Sequence, residues 1–411
     1  MGKPLKIAAI FGIRSDAVKM APVVLALKSD PRFDCVVCVT GQHREMLDQA
    51  LRVFNIAPEF DLNIMSRGQS LEDITTRTLN GVSGLMRIIR PDLALVHGDT
   101  STCFAAALAA FYNHIPVGHV EAGLRTDDIY FPFPEEVNRR LTGAVASMHF
   151  APTELNRRNL LREGVRDENI YVTGNTSLDA LKLTARDDYA FECEKLNEID
   201  FKNHRVLTIE AHRRENIGGP LDEIFRAINF ILDKYEDMYA VFPVHLNPAV
   251  QAQAHAAFAR RERVLLLDPL NLTDYHNLVK RSFLCVSDSG GIQEEGPSLG
   301  TPVLVLRAET ERQEAVDAGT VRLVGTKFER VAAELDALAN DAVAYRAMQG
   351  AKNPYGDGNA SARILDAIAA RFGLCNGGDP GPAEAADRSG LCSGFVSVKA
   401  EAAAGLESGG D

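Results

Sequence analysis

The feature that most constrains this chain is an alternation of short apolar runs with longer amphipathic ones, laid out in two successive blocks. In the first block the apolar runs fall at 6–11, 35–40, 93–97, 117–121, 148–151 and 171–173. In the second they fall at 206–209, 240–243, 264–267, 284–287, 303–306 and 321–324. Helical stretches lie between them, such as 16–28, 44–54, 100–112, 134–146 and 154–163. In the first of these, Ala17, Met20, Ala21, Val24 and Leu25 recur at the spacing of one helix face. Strands that alternate with helices pair in parallel and are covered on both faces. The pattern therefore predicts an α/β chain with two Rossmann-like, doubly wound parallel sheets.

Residues 186–203 are more charged and less periodic, and read as the crossing between two domains, 1–184 and 204–359. A helix over 360–372 closes the periodic part. From 373 to 411 the chain is rich in Gly, Ala, Ser and Glu, which cannot bury much apolar surface and predicts a disordered tail.

Composition then narrows the classes of partner. A formal net charge of -12 argues against nucleic acid or an anionic membrane surface, though one local basic cluster suffices for a phosphate ligand. No apolar run approaches the roughly 18–20 residues of a membrane span. Met1-Gly2-Lys3-Pro4 leads directly into a strand and does not resemble a leader. Both observations point to the cytoplasm. Among seven cysteines, Cys35 and Cys38 form a C-x-x-C within an apolar strand. Residues i and i+3 of a strand face opposite ways, so the pair reads as core packing, and nothing else has zinc spacing.

Ligands of open α/β sheets bind outside the carboxyl ends of the strands. Here those ends carry Gly12-Ile13-Arg14, Gly41-Gln42-His43-Arg44, His97-Gly98-Asp99, Glu121, Glu210-Ala211-His212, His245, Asp288-Ser289-Gly290-Gly291 and Glu311-Arg312. That loops are simply polar accounts for the Gly and Asn. It accounts poorly for so many acids, histidines and arginines directly after buried strands, which favour one cleft shared by two domains.

Ser289-Gly290-Gly291-Ile292-Gln293-Glu294-Glu295 follows a strand and opens a helix. Its glycines admit close approach of a ligand, its first amides suit an anion, and Glu295 sits where a carboxylate can accept ribose hydroxyls. A plain Gly-rich helix cap is the plainer alternative. Asp288-Ser289-Gly290-Gly291 also resembles the nucleophile segment of chymotrypsin-like proteases. Those are all-β, so Ser289 is expected to hold phosphate rather than attack. His212-Arg213-Arg214-Glu215-Asn216 suits a diphosphate leaving group, or is a solvated charge run. Asp99, Glu121, Glu135 and Glu136 are the candidate acids of the first block. Glu121 follows an apolar run, so burial is expected to raise its pKa and poise it as a base.

Taken together, the motifs resemble the non-hydrolysing UDP-N-acetylglucosamine 2-epimerases of bacteria over residues 5–372. They include Lys19-Met20-Ala21-Pro22, His97-Gly98-Asp99-Thr100, His119-Val120-Glu121-Ala122-Gly123, Pro134-Glu135-Glu136, His212-Arg213-Arg214-Glu215-Asn216 and Asn353-Pro354-Tyr355-Gly356. The resemblance implies a glycosyltransferase-B-like architecture in which the helix 360–372 returns to complete the first domain. It implies reversible C2 epimerisation of UDP-N-acetylglucosamine to UDP-N-acetylmannosamine, without NAD or metal, for cell-surface polysaccharide synthesis. UDP leaves across C1–C2 to give a 2-acetamidoglucal and is then added back. Asp99, Glu121, Glu135 and His212 match catalytic positions. Arg14, Ser289, Gly290, Gly291, Glu295 and Arg312 match UDP ligands, Tyr275 a uracil-stacking ring, and Lys19 and Gln69 further cleft positions. Gln42, Glu136, Arg213 and His245 match a neighbouring site where some members bind a second, activating UDP-N-acetylglucosamine. A homodimer is implied as well.

The sequence also departs from the family. The usual Phe-Gly-Thr-Arg-Pro-Glu reads Phe11-Gly12-Ile13-Arg14-Ser15-Asp16, Gln313 replaces a Pro, and Glu210 is unusual before Ala211-His212. These changes bear on the phosphate end of the site, the sugar and the rate. The competing readings are a UDP-sugar glycosyltransferase of the same fold, a hydrolysing epimerase, and a catalytically impaired UDP-sugar sensor. The run of first-domain acids and the intact His-Arg-Arg-Glu-Asn segment favour the non-hydrolysing epimerase.

Overall fold

The computed structural model describes residues 3–41, 44–66, 68–126, 128–130 and 132–374, with the side chains of 44 and 45 excepted. The expected tail lies outside the described residues, apart from Gly373 and Leu374. These two end the last helix: the Gly373 and Leu374 amides donate to Ala370 and Ala369, and Leu374 packs on the core.

The first sheet contains β1 (Leu5–Phe11), β2 (Phe33–Val39), β3 (Phe60–Asp61), β4 (Leu93–His97), β5 (Val117–Val120), β6 (Met148–Ala151) and β7 (Ile170–Val172). The second contains β8 (Arg205–Glu210), β9 (Met238–Pro243), β10 (Val264–Leu267), β11 (Leu284–Ser287), β12 (Val303–Val305) and β13 (Val321–Leu323). Their orders are β3-β2-β1-β4-β5-β6-β7 and β10-β9-β8-β11-β12-β13. Every pair is parallel, as the two-block alternation predicts. Chain order reverses between β1 and β4 and again between β8 and β11, so each sheet has one crevice at its carboxyl edge.

Period-2 alternation divides β1 between two cores. Ile7, Ala9 and Phe11 join one cluster, and Ala8 and Ile10 the other. The same rule separates Cys35 from Cys38, which fall in these two clusters as free, buried thiols whose pKa burial pushes up to about 12. Helix Ala360–Arg371 packs Ile364, Leu365 and Ile368 into the first sheet's core with Met20 and Val24. The Asp179 carboxylate receives its first amides, from Ala360 and Ser361, at 3.1 and 2.8 Å.

Two parts differ from expectation. Helix Leu71–Ile89 lies outside the helical stretches named from the sequence, although Ser70 and Asp73 close a capping box at its start. The charged stretch 186–203 buries Phe191 and Leu196 against the second sheet, and Tyr189 donates to Asp274 at 2.9 Å. Among the described residues no helix is long and apolar enough to cross a membrane.

Candidate active site

The two carboxyl edges face one cleft of about 540 Å³. Arg14, Lys19, Asp99 and Glu121 line it from the first sheet, and Tyr275, Ser289, Gly291, Glu295 and Arg312 from the second. Sequence positions far apart thus converge as the shared-cleft reading predicts. Asp16, His97 and Glu210 line it too.

At the centre lies a buried charge network that spans both sheets. Lys19 is ion-paired with Glu121 and stands 4.0 Å from Glu294. The Asn175 amide donates to Glu121 at 2.9 Å and to Glu294 at 2.7 Å, and Arg312 Nε donates to Glu294 at 2.7 Å. Glu121 adopts φ +64, a left-handed conformation that costs a non-glycine residue about 1–2 kcal/mol and is held by its surroundings. Burial alone would raise the Glu121 pKa, but Lys19, His97 and Arg312 outweigh it and bring it well below the ordinary carboxylate range. This corrects the expectation of a base poised near neutrality. Among the candidate acids it is Glu135 whose pKa is raised, by burial and then by the nearby Asp99 charge, and its Oε2 is buried without a hydrogen-bond partner among the described residues.

On the first-sheet wall, Arg139 grips Asp99 through Nε at 2.9 Å and Nη2 at 2.6 Å. The carboxylate of Asp16 accepts from the Gly12 amide and the Thr100 hydroxyl at 3.4 and 3.2 Å. His97 sits between Asp16 and Glu121, its nitrogens 3.7 and 3.8 Å from their oxygens. Ile13, the N-cap of helix Arg14–Ser29, supplies no side-chain bond there.

The opposite wall carries the glycine-rich segment. A Cβ at Gly290 would lie 2.7 Å from an Arg312 guanidinium nitrogen, so glycine is what lets that cation lie against the loop. Glu295 is 3.7 Å from the buried His276, whose other nitrogen bonds the Thr184 hydroxyl at 2.7 Å. The contact with His276, together with the Lys19 and Arg312 charges, outweighs burial and lowers the Glu295 pKa.

Other candidates lie outside the cleft lining. Asp288 is fully buried and accepts from the His212 and Arg213 amides and from Asn216, which shapes the His-Arg-Arg-Glu-Asn loop. The His212 ring stacks on His245 at 5.2 Å, 3.7 Å from Asp288. Arg213 Nε donates to the Asp288 carbonyl at 2.8 Å. Glu136 is completely buried and bound to Thr126, Arg139 and Arg140, while Gln69 turns back to its neighbour Ser66. Gln42 lies outside the described residues. Among the described residues no group of three His, Cys, Asp or Glu is placed to hold a metal ion.

His97, Asp16, Asp288 and Glu294 stand in motifs named from the sequence without a role, and Asn175, just past the end of β7, joins them. Nearness to strand ends is the available signal; the sequence does not show that Asn175 and Glu294 meet.

Two opposed parallel sheets with a charged cleft between their carboxyl edges define an α/β enzyme of glycosyltransferase-B-like architecture. A glycotransferase of kitacinnamycin shares that fold at TM-score 0.61 and 12% identity, a likeness of fold alone. A family model described as UDP-N-acetylglucosamine 2-epimerase matches residues 25–369. The UDP-N-acetylglucosamine 2-epimerase of Bacillus subtilis (strain 168) is 50% identical over 371 residues, covering 90% of this chain and 97% of the relative. The crystal structure of the Neisseria meningitidis UDP-GlcNAc 2-epimerase bound to UDP-GlcNAc matches at TM-score 0.79 and 44% identity, covering 89% of this chain and 99% of that one. The chain belongs to the UDP-N-acetylglucosamine 2-epimerase family.

Proposed function

We propose that this chain interconverts UDP-N-acetylglucosamine and UDP-N-acetylmannosamine by removing and restoring UDP across C1–C2. The observation that carries the reading is the opposition of two walls in one cleft. Ser289, Glu295 and Arg312 offer hydroxyl, carboxylate and cation to a nucleotide, and Asp99 and Glu121 face them from the other sheet. In elimination the C2 proton passes to a carboxylate while the C1–O bond breaks and its electron pair leaves with UDP. Return of UDP to C1 and of a proton to the other face of C2 completes the inversion. Glu135 is suited to carry a proton because its neutral form is favoured, whereas Lys19 keeps Glu121 anionic. Asp99 lies beside Glu135, and His212 is suited to stabilise the departing diphosphate.

We read the chain as two domains, 1–184 with 360–372, and 204–359, working as a homodimer. Arg213 and His245 beside His212 support a neighbouring second-nucleotide site. Glu136 does not, since its carboxylate is fully used by Thr126, Arg139 and Arg140.

The reading is tested by incubation with UDP-N-acetylglucosamine in D2O, followed by NMR. Deuterium at C2 with the nucleotide sugar intact is expected. Free sugar and UDP would instead mark a hydrolysing enzyme, and no exchange and no release would remove both.

A further inference from the structure

Glu210 ends β8 and is paired in register with Ser287, which ends β11, so the two residues flank the crevice of the second sheet. One carboxylate oxygen of Glu210 accepts the Tyr275 phenol at 2.7 Å and the Ser287 hydroxyl at 2.9 Å. The Ser287 oxygen in turn accepts the Ser289 amide at 2.9 Å. Tyr275 and Ser289 both line the cleft, as does Glu210 itself. The other carboxylate oxygen has no hydrogen-bond partner among the described residues.

We propose that Glu210 is a positioning residue of the nucleotide half-site, fixing Tyr275 and, through Ser287, the Ser289 backbone relative to each other on the second-sheet wall, so that both meet a bound UDP in register. The proposal rests on the UDP reading above. One buried oxygen shared by two donors restrains both segments at once, which neither hydrogen bond does alone. The site must also accept a diphosphate beside this carboxyl group. Burial raises the Glu210 pKa, opposed by His212, Tyr275 and Ser287 and reinforced by Asp288. The titratable groups that face it are His212, Asp288, Tyr275 and Cys285. A neutral carboxyl keeps both hydrogen bonds without adding negative charge next to the ligand. Because burial shifts the group toward its neutral form, ionisation as pH rises adds that charge, and UDP affinity is expected to fall with it.

The test is calorimetric titration of UDP into the wild type, Glu210→Ala, Glu210→Gln, Tyr275→Phe and Glu210→Ala/Tyr275→Phe, from mildly acidic to alkaline pH. Loss of a buried acceptor predicts about three- to tenfold weaker UDP binding in Glu210→Ala. Glu210→Gln keeps the acceptor, and is expected near wild type at low pH but without the wild-type decline as pH rises. The double variant is expected to bind no more weakly than the weaker single variant, since both changes break one linkage. Unchanged or tighter binding in Glu210→Ala overturns the proposal, as do additive losses. If Glu210→Ala fails to fold, Glu210→Gln decides: the same pH decline as the wild type overturns it. A wild type that binds no UDP removes the functional reading itself, whereas binding that ignores Glu210 removes only this inference.

Discussion

Asn175 and Glu294 are 119 positions apart and meet through a 2.7 Å hydrogen bond that joins the two halves of the chain. The same amide nitrogen donates to Glu121, so one neutral donor is shared by two buried carboxylates. Asn175→Ala leaves both with one partner fewer. It should cost about 1–3 kcal/mol, the penalty for an unmet buried hydrogen bond. Urea unfolding measures this, and a loss within error of zero would mean the contact does not restrain the halves.

Lys19→Met leaves Glu121 buried without its principal cation. In the wild type the folded-state pKa of Glu121 lies below the unfolded value of about 4.3, so the pair's stabilisation is present above that pH and is lost as pH falls through the folded pKa. Without Lys19, burial moves the group toward the opposite sign. The variant should then lose stability as pH rises above about 4–5, where the wild type does not. Unfolding midpoints at acidic and neutral pH check this. A constant difference between the two proteins would mean that Lys19 does not set the charge of Glu121.

How far the sequence disclosed this site depends on range. β4, β6, β10 and β11 coincide with their apolar runs because a buried parallel strand needs little beyond local hydrophobicity. Strand-end logic placed Arg14, Asp99, Glu121, Ser289, Glu295 and Arg312 around one cleft, and the family resemblance added Lys19. The direction of the Glu121 shift was not legible, because its partner lies 102 residues away and local sequence shows only the burial that opposes the partner. The buried Glu136 looked available for the same reason, since its neutralising arginines are identified by geometry rather than by motif. In 186–203, charge density concealed Phe191 and Leu196, two apolar residues that settle how the segment packs.

Glu121→Gln and Glu135→Gln should separate two functions. Glu121→Gln removes the anion that Lys19 holds but preserves shape, so UDP should bind as before while C2 exchange falls by about 10²–10⁴-fold. Glu135→Gln removes a titratable proton at a position where burial favours the neutral acid. It should abolish one limb of the pH profile of kcat/KM while UDP binding persists. Full exchange in either variant would exclude that residue from proton transfer.

Ile13→Thr tests whether the departure at the start of the first cleft helix has a thermodynamic cost. Ile13 is the N-cap, with extended backbone at φ -132 and ψ 171, and it makes no side-chain cap bond. A threonine hydroxyl in that conformation can accept a first-turn amide, a gain of about 0.5–1 kcal/mol. Asp16 does not meet that need, because its carboxylate takes the amide of Gly12, which precedes the N-cap, at 3.4 Å. The gain should therefore be the same in an Asp16→Asn background. Thermal melts of the two single variants and the double variant measure this. A gain that differs between the two backgrounds would show that Asp16 stands in for the missing cap.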